Sequence, residues 1–173
     1  MKNLVDQGMR EGAFGLCSGL RYVPGSYAQT SELIELCKVV AKYGGIYTSH
    51  IRSEGDRGSW AEAVEEAIEI GRRSGVSVQI SHLKGLGRRS WGQSPQILRM
   101  IDRAREEGIE VTSDQYPYSA SSTGLIAFIP AWSHESGIAK FFERLKTSNT
   151  RDKIKNGIEE SVADRGGPEA VVV

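Results

Sequence analysis

The segments that decide the fold are 76–82, "VSVQISH", and 45–50, "GIYTSH", because each is a short apolar and β-branched run that ends in a Ser-His pair. The interval from His50 to His82 is repeated from His82 to Asp114, which ends a third run, "IEVTSD". The same interval counted back from His50 leads to Ser18, in "FGLCSGL". Since β-branched and aromatic residues favour strands, these runs are predicted to be successive strands of a repeated unit.

Helical patterns fill the intervals between the predicted strands. Three segments combine an apolar stripe with residues typical of helix ends: 31–43, 59–74 and 94–107. The second opens with Ser59 and Glu62 at the spacing of a capping box, and the third opens with Ser94 as N-cap and Pro95 at the first helical position. Strands that alternate with helices of this length indicate βαβ units and a parallel sheet, so the predicted fold class is α/β.

Four polar residues stand at the ends of the predicted strands: Ser18, His50, His82 and Asp114. Right-handed crossovers place the carboxyl ends of parallel strands on one edge of the sheet. In (β/α) barrels this edge carries the chemistry, whereas the opposite edge contributes mainly to stability. The constant spacing therefore predicts that these side chains share a direction, toward the mouth of a barrel.

Composition is that of an ordinary globular protein and excludes several classes of function. The 173 residues include 22 basic and 22 acidic ones, so no charge excess favours nucleic acid or an anionic membrane as partner. No apolar run approaches the roughly 18 residues of a membrane span, and the N-terminal "MKNLVDQGMREGAFG" lacks the apolar core of a secretory signal. Two cysteines make no disulfide framework, which predicts a reduced cytoplasmic location. Cys37 lies on an apolar helix stripe and is predicted to be core. Cys17 has a thiolate that could bind zinc, although a residue near a strand end is more often simply buried.

His50 and His82 are the strongest candidates for metal ligands. Neutral imidazole is the commonest protein ligand for metals, and adjacent strands lie only about 4.8 Å apart, so two strand ends can share one ion. Two unrelated histidines, each buried and hydrogen-bonded to backbone or serine, are the alternative. Matching positions in a repeat favour the metal site. His134, in "AWSHESG", lies outside the repeat and is not assigned as a ligand.

Other polar residues follow the predicted strand ends and could face the same mouth. Lys84 comes shortly after His82 and could neutralise a carboxylate or polarise a carbonyl, although a solvated loop lysine fits the sequence as well. Arg52 and Glu54, which follow His50, could likewise either face the mouth of the barrel or be solvated loop residues. Composition alone gives only a weak signal for the hydroxyl-bearing residues of these loops, which include Tyr22, Tyr116, Tyr118 and Ser122.

The chain changes character after Asp114. Segment 115–137 is rich in Pro, Ser, Gly and aromatic residues without a period, and its apolar content favours an ordered, substrate-facing insertion over disorder. Short amphipathic helices are predicted at 138–145 and 151–165. Three parts follow from this pattern: a partial (β/α) barrel at 1–114, a lid-like loop and helical insertion at 115–170, and the start of another strand at 171–173.

Four blocks of this sequence resemble the N-acyl-D-amino-acid deacylase (D-aminoacylase) branch of the amidohydrolase superfamily: "GAFGLCSGLRYVPGSYAQTSELIELCKVVAKYGGIYTSHIRSEGDR", "VQISHLKGLGRRSWG", "SDQYPYSASSTGL" and "PAW". The resemblance runs from about Gly12 to the C-terminus. It implies a partial TIM barrel of about strands four to seven, and zinc-dependent hydrolysis of the amide bond of N-acyl-D-amino acids, a small-molecule substrate. His50 and His82 match the histidines that ligate zinc in the family. The positions that line its substrate site fall on Tyr22, Lys84, Tyr116 and Ser122.

The resemblance also implies groups that cannot be located in this sequence. The family has a His-x-His pair on its first strand, a cysteine ligand on an early strand and a general-base aspartate on its last strand. Asp114 matches the position before "YPY" and is not that base, and Cys17 stands where relatives have serine. No catalytic residue is therefore assigned. The 173-residue chain alone is expected to bind zinc weakly and to lack deacylase activity.

Two other interpretations stay open at this point. A dihydroorotase or hydantoinase relative would be expected to carry a carboxylated lysine at the end of the fourth barrel strand, where this chain has "GLCSGL" without lysine. A non-catalytic remnant would keep His50 and His82 as inherited but idle residues. The zinc content of the purified chain distinguishes such a remnant from a metal site, because loss of zinc on mutation of His50 or His82 favours a working site.

Overall fold

The computed structural model describes residues 1–56 and 58–172, in which helices and parallel strands alternate. The strands are β1 (Gly15–Gly19), β2 (Ile46–His50), β3 (Ser77–Ile80) and β4 (Val111–Ser113). The helices are α1 (Lys2–Arg10), α2 (Thr30–Ala41), α3 (Trp60–Ser74), α4 (Ser94–Glu106), α5 (Ile138–Lys146) and α6 (Ser148–Asp164). The α/β class is confirmed, and the three predicted interstrand helices are present with ends close to those predicted.

The four strands form one parallel sheet in the order β1-β2-β3-β4, with α2, α3 and α4 as the crossovers. Gly15 is paired with Ile46, and Ile46 with Ser77, so both pairing intervals are one position shorter than the interval from His50 to His82. Val78 is paired with Val111, an interval one position longer. The constant spacing in the sequence is thus close to an average of the pairing intervals and is not the register itself.

The prediction that the four strand-end side chains share a direction is therefore wrong for Ser18, whose hydroxyl contacts Tyr47 and Ser49, whereas His50 and His82 do lie together. His50 is aligned with Gly19, the residue after Ser18. Residue counts between strands include the loops, and a loop can gain or lose a residue without disturbing the helix that follows. Because side chains alternate between the two faces of a strand, a shift by one position changes the face that a side chain occupies.

The hydrophobic core lies between the sheet and the crossover helices. Val64 and Ile68 of α3 and Val78 and Ile80 of β3 are each at most 1% exposed, and burial of each such side chain stabilises the fold by about 1.5–3 kcal/mol. A Cβ on Gly71 would lie 2.7 Å from Cγ2 of Val78, so glycine permits the close approach of helix and strand. Cys37 is fully buried in this core, which confirms its predicted place.

The ends of the helices show which sequence signals locate a helix start correctly. Ser59 is the N-cap of α3, and its hydroxyl accepts a hydrogen bond of 3.1 Å from the backbone N–H of Glu62, as predicted. For α4 the N-cap is Gln93, and Ser94 is already helical, so the predicted cap is wrong by one position. Helix α1 is not among the predicted helices, because its start has no capping side chain and no acidic residue in its first turn.

The chain beyond β4 contains more structure than the predicted loop. Two 3₁₀ helices, Leu125–Phe128 and Ala131–His134, precede α5 and α6. Helix α6 begins at Ser148, ahead of the predicted position 151, and Thr147, in an extended conformation, is both the C-cap of α5 and the N-cap of α6. No strand begins at Val171 or Val172, and position 173 of the predicted strand lies outside the described residues. Within 1–56 and 58–172, no helix has the length and apolarity needed to cross a membrane.

Candidate metal centre

His50, Glu54 and His82 bring three ligand atoms within 4.8 Å of one another at the carboxyl edge of the sheet. His50 is the last residue of β2, and the imidazole rings of His50 and His82 have centroids 4.4 Å apart. Nδ1 of His82 lies 3.0 Å from Oε1 of Glu54. The Nε2 atom of His50 is buried without a hydrogen-bond partner among the described residues. A buried polar atom without a partner is uncommon and calls for an explanation such as a bound ion.

His82 reaches this group through an unusual backbone conformation. It lies just past the end of β3, with a φ of 41° in the left-handed region that few non-glycine residues adopt. The backbone N–H of His82 donates a 2.5 Å hydrogen bond to Oδ1 of Asp114, and the N–H of Leu83 donates to the backbone oxygen of Asp114. Asp114 therefore holds the turn that aims His82 at His50, which is a structural role.

Glu54 is only 3% exposed and is held from both its backbone and its side chain. The N–H of Leu86 donates a 2.7 Å hydrogen bond to the backbone oxygen of Glu54. Lys84 donates from Nζ to Oε1 of Glu54 at 2.5 Å and lies 3.1 Å from Nδ1 of His82. The ammonium balances the buried carboxylate, which would otherwise be costly to remove from water.

Electrostatics keep His50 neutral at physiological pH. Burial, together with the positive potential from His82, Lys84 and Arg21, lowers the pKa of His50 to about 4. Metal binding requires the unprotonated imidazole, so no proton has to be removed from this ligand at pH 7.

The residues expected to line a substrate site surround His50, Glu54 and His82 to different degrees. The ring of Tyr22 packs 4.8 Å from that of His50, and its hydroxyl lies 3.1 Å from Oγ1 of Thr123. Nζ of Lys84 lies 5.2 Å from the centre of the Tyr116 ring, and the Tyr116 hydroxyl is buried without a partner among the described residues. Ser122 is exposed in the segment that follows Tyr116.

Other candidates from the sequence lie apart from this group. Ser18 hydrogen-bonds to the Tyr47 hydroxyl at 2.6 Å. Arg52 forms a two-pronged ion pair with Glu66 and donates to two backbone oxygens, so it stabilises the loop that precedes α2. His134 is buried and stacks on Phe141 in the insertion. Cys17 is exposed on β1 and is not among the three clustered ligands.

Glu54 is the member of the site that sequence reasoning did not select. The sequence alone does not distinguish Glu54 from Arg52, and the structure separates the two: Arg52 pairs with Glu66, and Glu54 contacts His82. A carboxylate shortly after His50 has no periodic signature, because the segment 51–56 has no regular secondary structure. The glycine that follows, Gly55, has a φ of 100°, and a Cβ there would clash with Ser90.

The chain is an α/β protein with a parallel four-stranded sheet, and a cluster of two histidines and a glutamate that could hold a metal ion lies at the carboxyl edge of that sheet. A comparison with protein-family models finds no match. Two curated proteins of Alcaligenes xylosoxydans xylosoxydans are similar to the chain. N-acyl-D-glutamate deacylase is 43% identical over 126 residues, covering 73% of this chain and 25% of that protein. D-aminoacylase is 40% identical over 125 residues, covering 72% and 25%.

The chain is also similar to solved structures of such deacylases. An N-acyl-D-glutamate deacylase from Bordetella bronchiseptica, complexed with zinc and a phosphonate inhibitor, matches with a TM-score of 0.69 and 44% identity over 72% of this chain and 26% of that one. A D-aminoacylase structure matches with a TM-score of 0.67, 39% identity and the same coverage. L-Hydantoinase from Arthrobacter aurescens shares the fold, with 18% identity and a TM-score of 0.52.

The chain is thus homologous to a segment of the N-acyl-D-amino-acid deacylases of the amidohydrolase family, and its fold is a partial TIM barrel of that type. It spans about a quarter of the length of the curated relatives that it matches. The matched part, 126 residues, is shorter than the span from Gly12 to the C-terminus that the sequence blocks suggested.

Proposed function

We propose that this chain is the zinc-binding segment of an amidohydrolase that hydrolyses the amide bond of N-acyl-D-amino acids. The observation that carries the proposal is the buried, unpartnered Nε2 of His50 beside His82 and Glu54, within the part of the chain that the structure describes. The similarity to enzymes named as deacylases of N-acyl-D-amino acids supports the reaction and the substrate class.

The three ligand atoms fit a zinc ion after a small adjustment. Ligands about 2.1 Å from a tetrahedral zinc lie roughly 3.4 Å apart, and the three atoms here lie within 4.8 Å of one another. Closing that difference takes small rotations of the two half-buried imidazoles and displacement of the Lys84 ammonium, which here bonds to Oε1 of Glu54 and lies 3.1 Å from Nδ1 of His82. Two imidazoles and a carboxylate leave the fourth position free, as in catalytic zinc sites.

Zinc, when bound, supplies a Lewis acid and lowers the pKa of water for attack on the amide carbonyl. The residues of this chain bind and orient. His50, Glu54 and His82 hold the ion, and Lys84 provides a positive charge for the substrate carboxylate. We further propose that the hydroxyls of Tyr22, Tyr116 and Ser122 line the substrate site and contact the acyl-amino acid.

The insertion and the location complete the proposal. We propose that residues 115–170 form a lid over the site, since Thr123 reaches the Tyr22 hydroxyl beside His50. A barrel segment at 1–114 and a separate insertion are supported by the end of the sheet at Ser113. The two free cysteines support a reducing, cytoplasmic location.

Zinc stoichiometry of the purified chain tests the proposal. We expect the wild type to bind about one zinc ion, measured by equilibrium dialysis with metal analysis, and His50→Ala and His82→Ala each to lose it. His134→Ala is the matched control, because His134 lies in the insertion away from the ligands. Retention of zinc by both ligand variants, or equal loss in the control, would refute the assignment.

A further inference from the structure

A row of polar side chains lies on the face of the sheet that is turned away from the crossover helices. Gln79 of β3 is paired with Thr112 of β4, so their side chains project from the same face. The residues before them, Val78 and Val111, are buried in the core between the sheet and the helices. Because side chains alternate along a strand, Gln79 and Thr112 point to the opposite face.

The polar groups on this face form one directed chain of hydrogen bonds. The hydroxyl of Thr112 donates to Oε1 of Gln79. Nε2 of Gln79 donates to Oδ2 of Asp114 at 2.8 Å, and Oδ1 of Asp114 accepts the backbone N–H of His82 at 2.5 Å. A glutamine amide has an accepting end and a donating end, so the hydroxyl at Oε1 fixes which end faces the carboxylate.

The orientation of the Asp114 carboxylate depends on Gln79. Asp114 is exposed, and within residues 1–56 and 58–172 no other side chain hydrogen-bonds to it. A hydrogen bond from an amide to a carboxylate is charge-assisted and therefore among the stronger ones. Without it the exposed carboxylate can turn toward water, which competes with the His82 N–H for its oxygens. Loss of the Gln79 amide is therefore expected to loosen the bond between Asp114 and His82.

The backbone N–H of His82 is the point at which this chain of hydrogen bonds reaches the candidate metal site. His82 has a φ of 41°, a conformation that non-glycine residues keep only when surrounding contacts hold it. In this conformation the centroid of its ring lies 4.4 Å from that of His50. The contact that holds the N–H of His82 therefore also directs its imidazole.

We propose that Gln79 is a positioning residue: it orients the Asp114 carboxylate, which holds the backbone of His82 in the conformation that directs the imidazole toward His50. The consequence for metal binding rests on the proposed function, whereas the chain of hydrogen bonds exists in the metal-free protein. The role of Gln79 is defined by the two histidines and does not depend on which other groups complete the metal site.

Amide hydrogen exchange, followed by nuclear magnetic resonance on the metal-free chain, tests the role of Gln79 independently of zinc. Gln79→Met keeps the length of the side chain and removes its polar end. We expect the His82 amide to exchange at least about tenfold faster in this variant, whereas the amide of Ser81, which is bonded to β2, keeps its wild-type rate. Gln7→Met is the matched control, because Gln7 also donates to a carboxylate at 2.8 Å, but on the exposed surface of α1. Exchange of His82 in this control should match the wild type.

Two further variants separate hydrogen bonding from packing at position 79. Gln79→Glu has the shape of glutamine but presents an acceptor to the Asp114 carboxylate, so it should accelerate His82 exchange at least as much as Q79M. Gln79→Lys keeps a donor and should return the rate to within about threefold of the wild type. Wild-type His82 exchange in Q79M and Q79E, or equal acceleration of Ser81, would overturn the proposal. An unfolded Q79M together with wild-type exchange in Q79E would assign Gln79 to global stability and overturn it as well.

The absorption spectrum of the Co²⁺-loaded chain then reports on the geometry of the ligands. We expect Q79M to shift the visible bands and Q79K to restore them, whereas loss of a purely structural side chain would lower the melting temperature and leave the bands in place. Unchanged bands in a folded Q79M would contradict a role in positioning His82. Failure of the wild type to bind Co²⁺ would instead refute the metal function, and the exchange rates would then decide whether Gln79 holds the turn at His82.

Discussion

His82 adopts a φ of 41°, and the turn that it forms depends on Asp114. A non-glycine residue in this region carries conformational strain, which the surrounding contacts must offset. Here the offset is the hydrogen bond from the His82 N–H to the Asp114 carboxylate. The aspartate at the end of β4 thus contributes to the candidate metal site without being a ligand.

Asp114→Ala is expected to weaken zinc binding by about tenfold, since residues that orient ligands typically change affinity by about 10- to 100-fold when removed. Asp114→Asn keeps an acceptor oxygen and should stay within about threefold of the wild type. Competition with a chromophoric chelator measures both. Asp102→Ala, on the exposed face of α4, is the control, and a wild-type affinity for Asp114→Ala would contradict the role assigned to this residue.

The buried thiol of Cys37 is expected to make the folded chain less stable in alkaline solution. Burial raises the pKa of its thiol from 9 to about 12. Between these values the unfolded chain releases the thiol proton and the folded chain keeps it, so the free energy of unfolding falls as pH rises above 9, by up to about 1.4 kcal/mol per pH unit.

Urea unfolding at pH 8 to 10.5 measures this effect, and Cys37→Ala should reduce the slope although it lowers stability at every pH. Tyr47, whose pKa burial raises to about 12, contributes a remaining slope above pH 10. An identical pH dependence in wild type and Cys37→Ala would show that the thiol does not stay protonated in the fold.

At the residue scale the sequence was sufficient to place the two histidines at the carboxyl edge of the sheet and insufficient to place Glu54 beside them. His50 and His82 follow strand patterns, so their place on the carboxyl edge could be deduced from strand polarity alone. Glu54 depends on an irregular segment whose course is set by Gly55, Ser90 and Leu86, which are contacts between distant parts of the chain. No local pattern contains that information.

Glycine at position 15 shows how closely β1 and β2 approach. A Cβ on Gly15 would lie 1.8 Å from the backbone oxygen of Ile46. Backbone cannot move aside as a flexible side chain can, so any side chain at this position must separate the two strands.

Gly15→Ala is expected to destabilise the chain by about 1–3 kcal/mol, the usual cost of overpacking. Gly8→Ala is the matched control: Gly8 is in α1 with no atom within 4 Å of its added Cβ, and alanine there should stabilise the helix by about 0.5–1 kcal/mol. Urea denaturation measures both. Equal stability of Gly15→Ala and the wild type would show that β1 does not pair with β2 as described.

The elements themselves were largely predictable because each crossover helix has its own start and stop signals, such as Ser59 at the N-cap of α3. The register of the strands was not predictable. Two pairing intervals are one position shorter than the sequence repeat and one is a position longer, and each depends on how a loop meets the next strand. Helix α1 and the 3₁₀ helices lack strong capping signals. Their positions depend on packing against the rest of the fold.

The sheet ends at β1 on one side and at β4 on the other, and neither strand has a second partner among the described residues. Unpaired strand edges favour association with other chains. Several large apolar side chains are also exposed, among them Phe14, at 91%, next to β1.

We therefore expect the 173-residue chain to associate at micromolar concentration, measured by sedimentation velocity. Cys17→Lys places a charge on the β1 edge, where Cys17 is exposed, and should shift the equilibrium toward monomer. Gln7→Lys, on the surface of α1, is the control for added charge alone. A concentration-independent monomer for the wild type would contradict this expectation.

The central claim is that His50, Glu54 and His82 bind one zinc ion, and X-ray absorption at the zinc edge of the zinc-loaded chain tests it most directly. The claim predicts two imidazole ligands at about 2.0–2.1 Å together with oxygen ligands and no sulfur. His50→Ala should remove one of the imidazole contributions. Sulfur at about 2.3 Å, as expected for a site built on Cys17 or Cys37, or the absence of imidazole scattering, would contradict it.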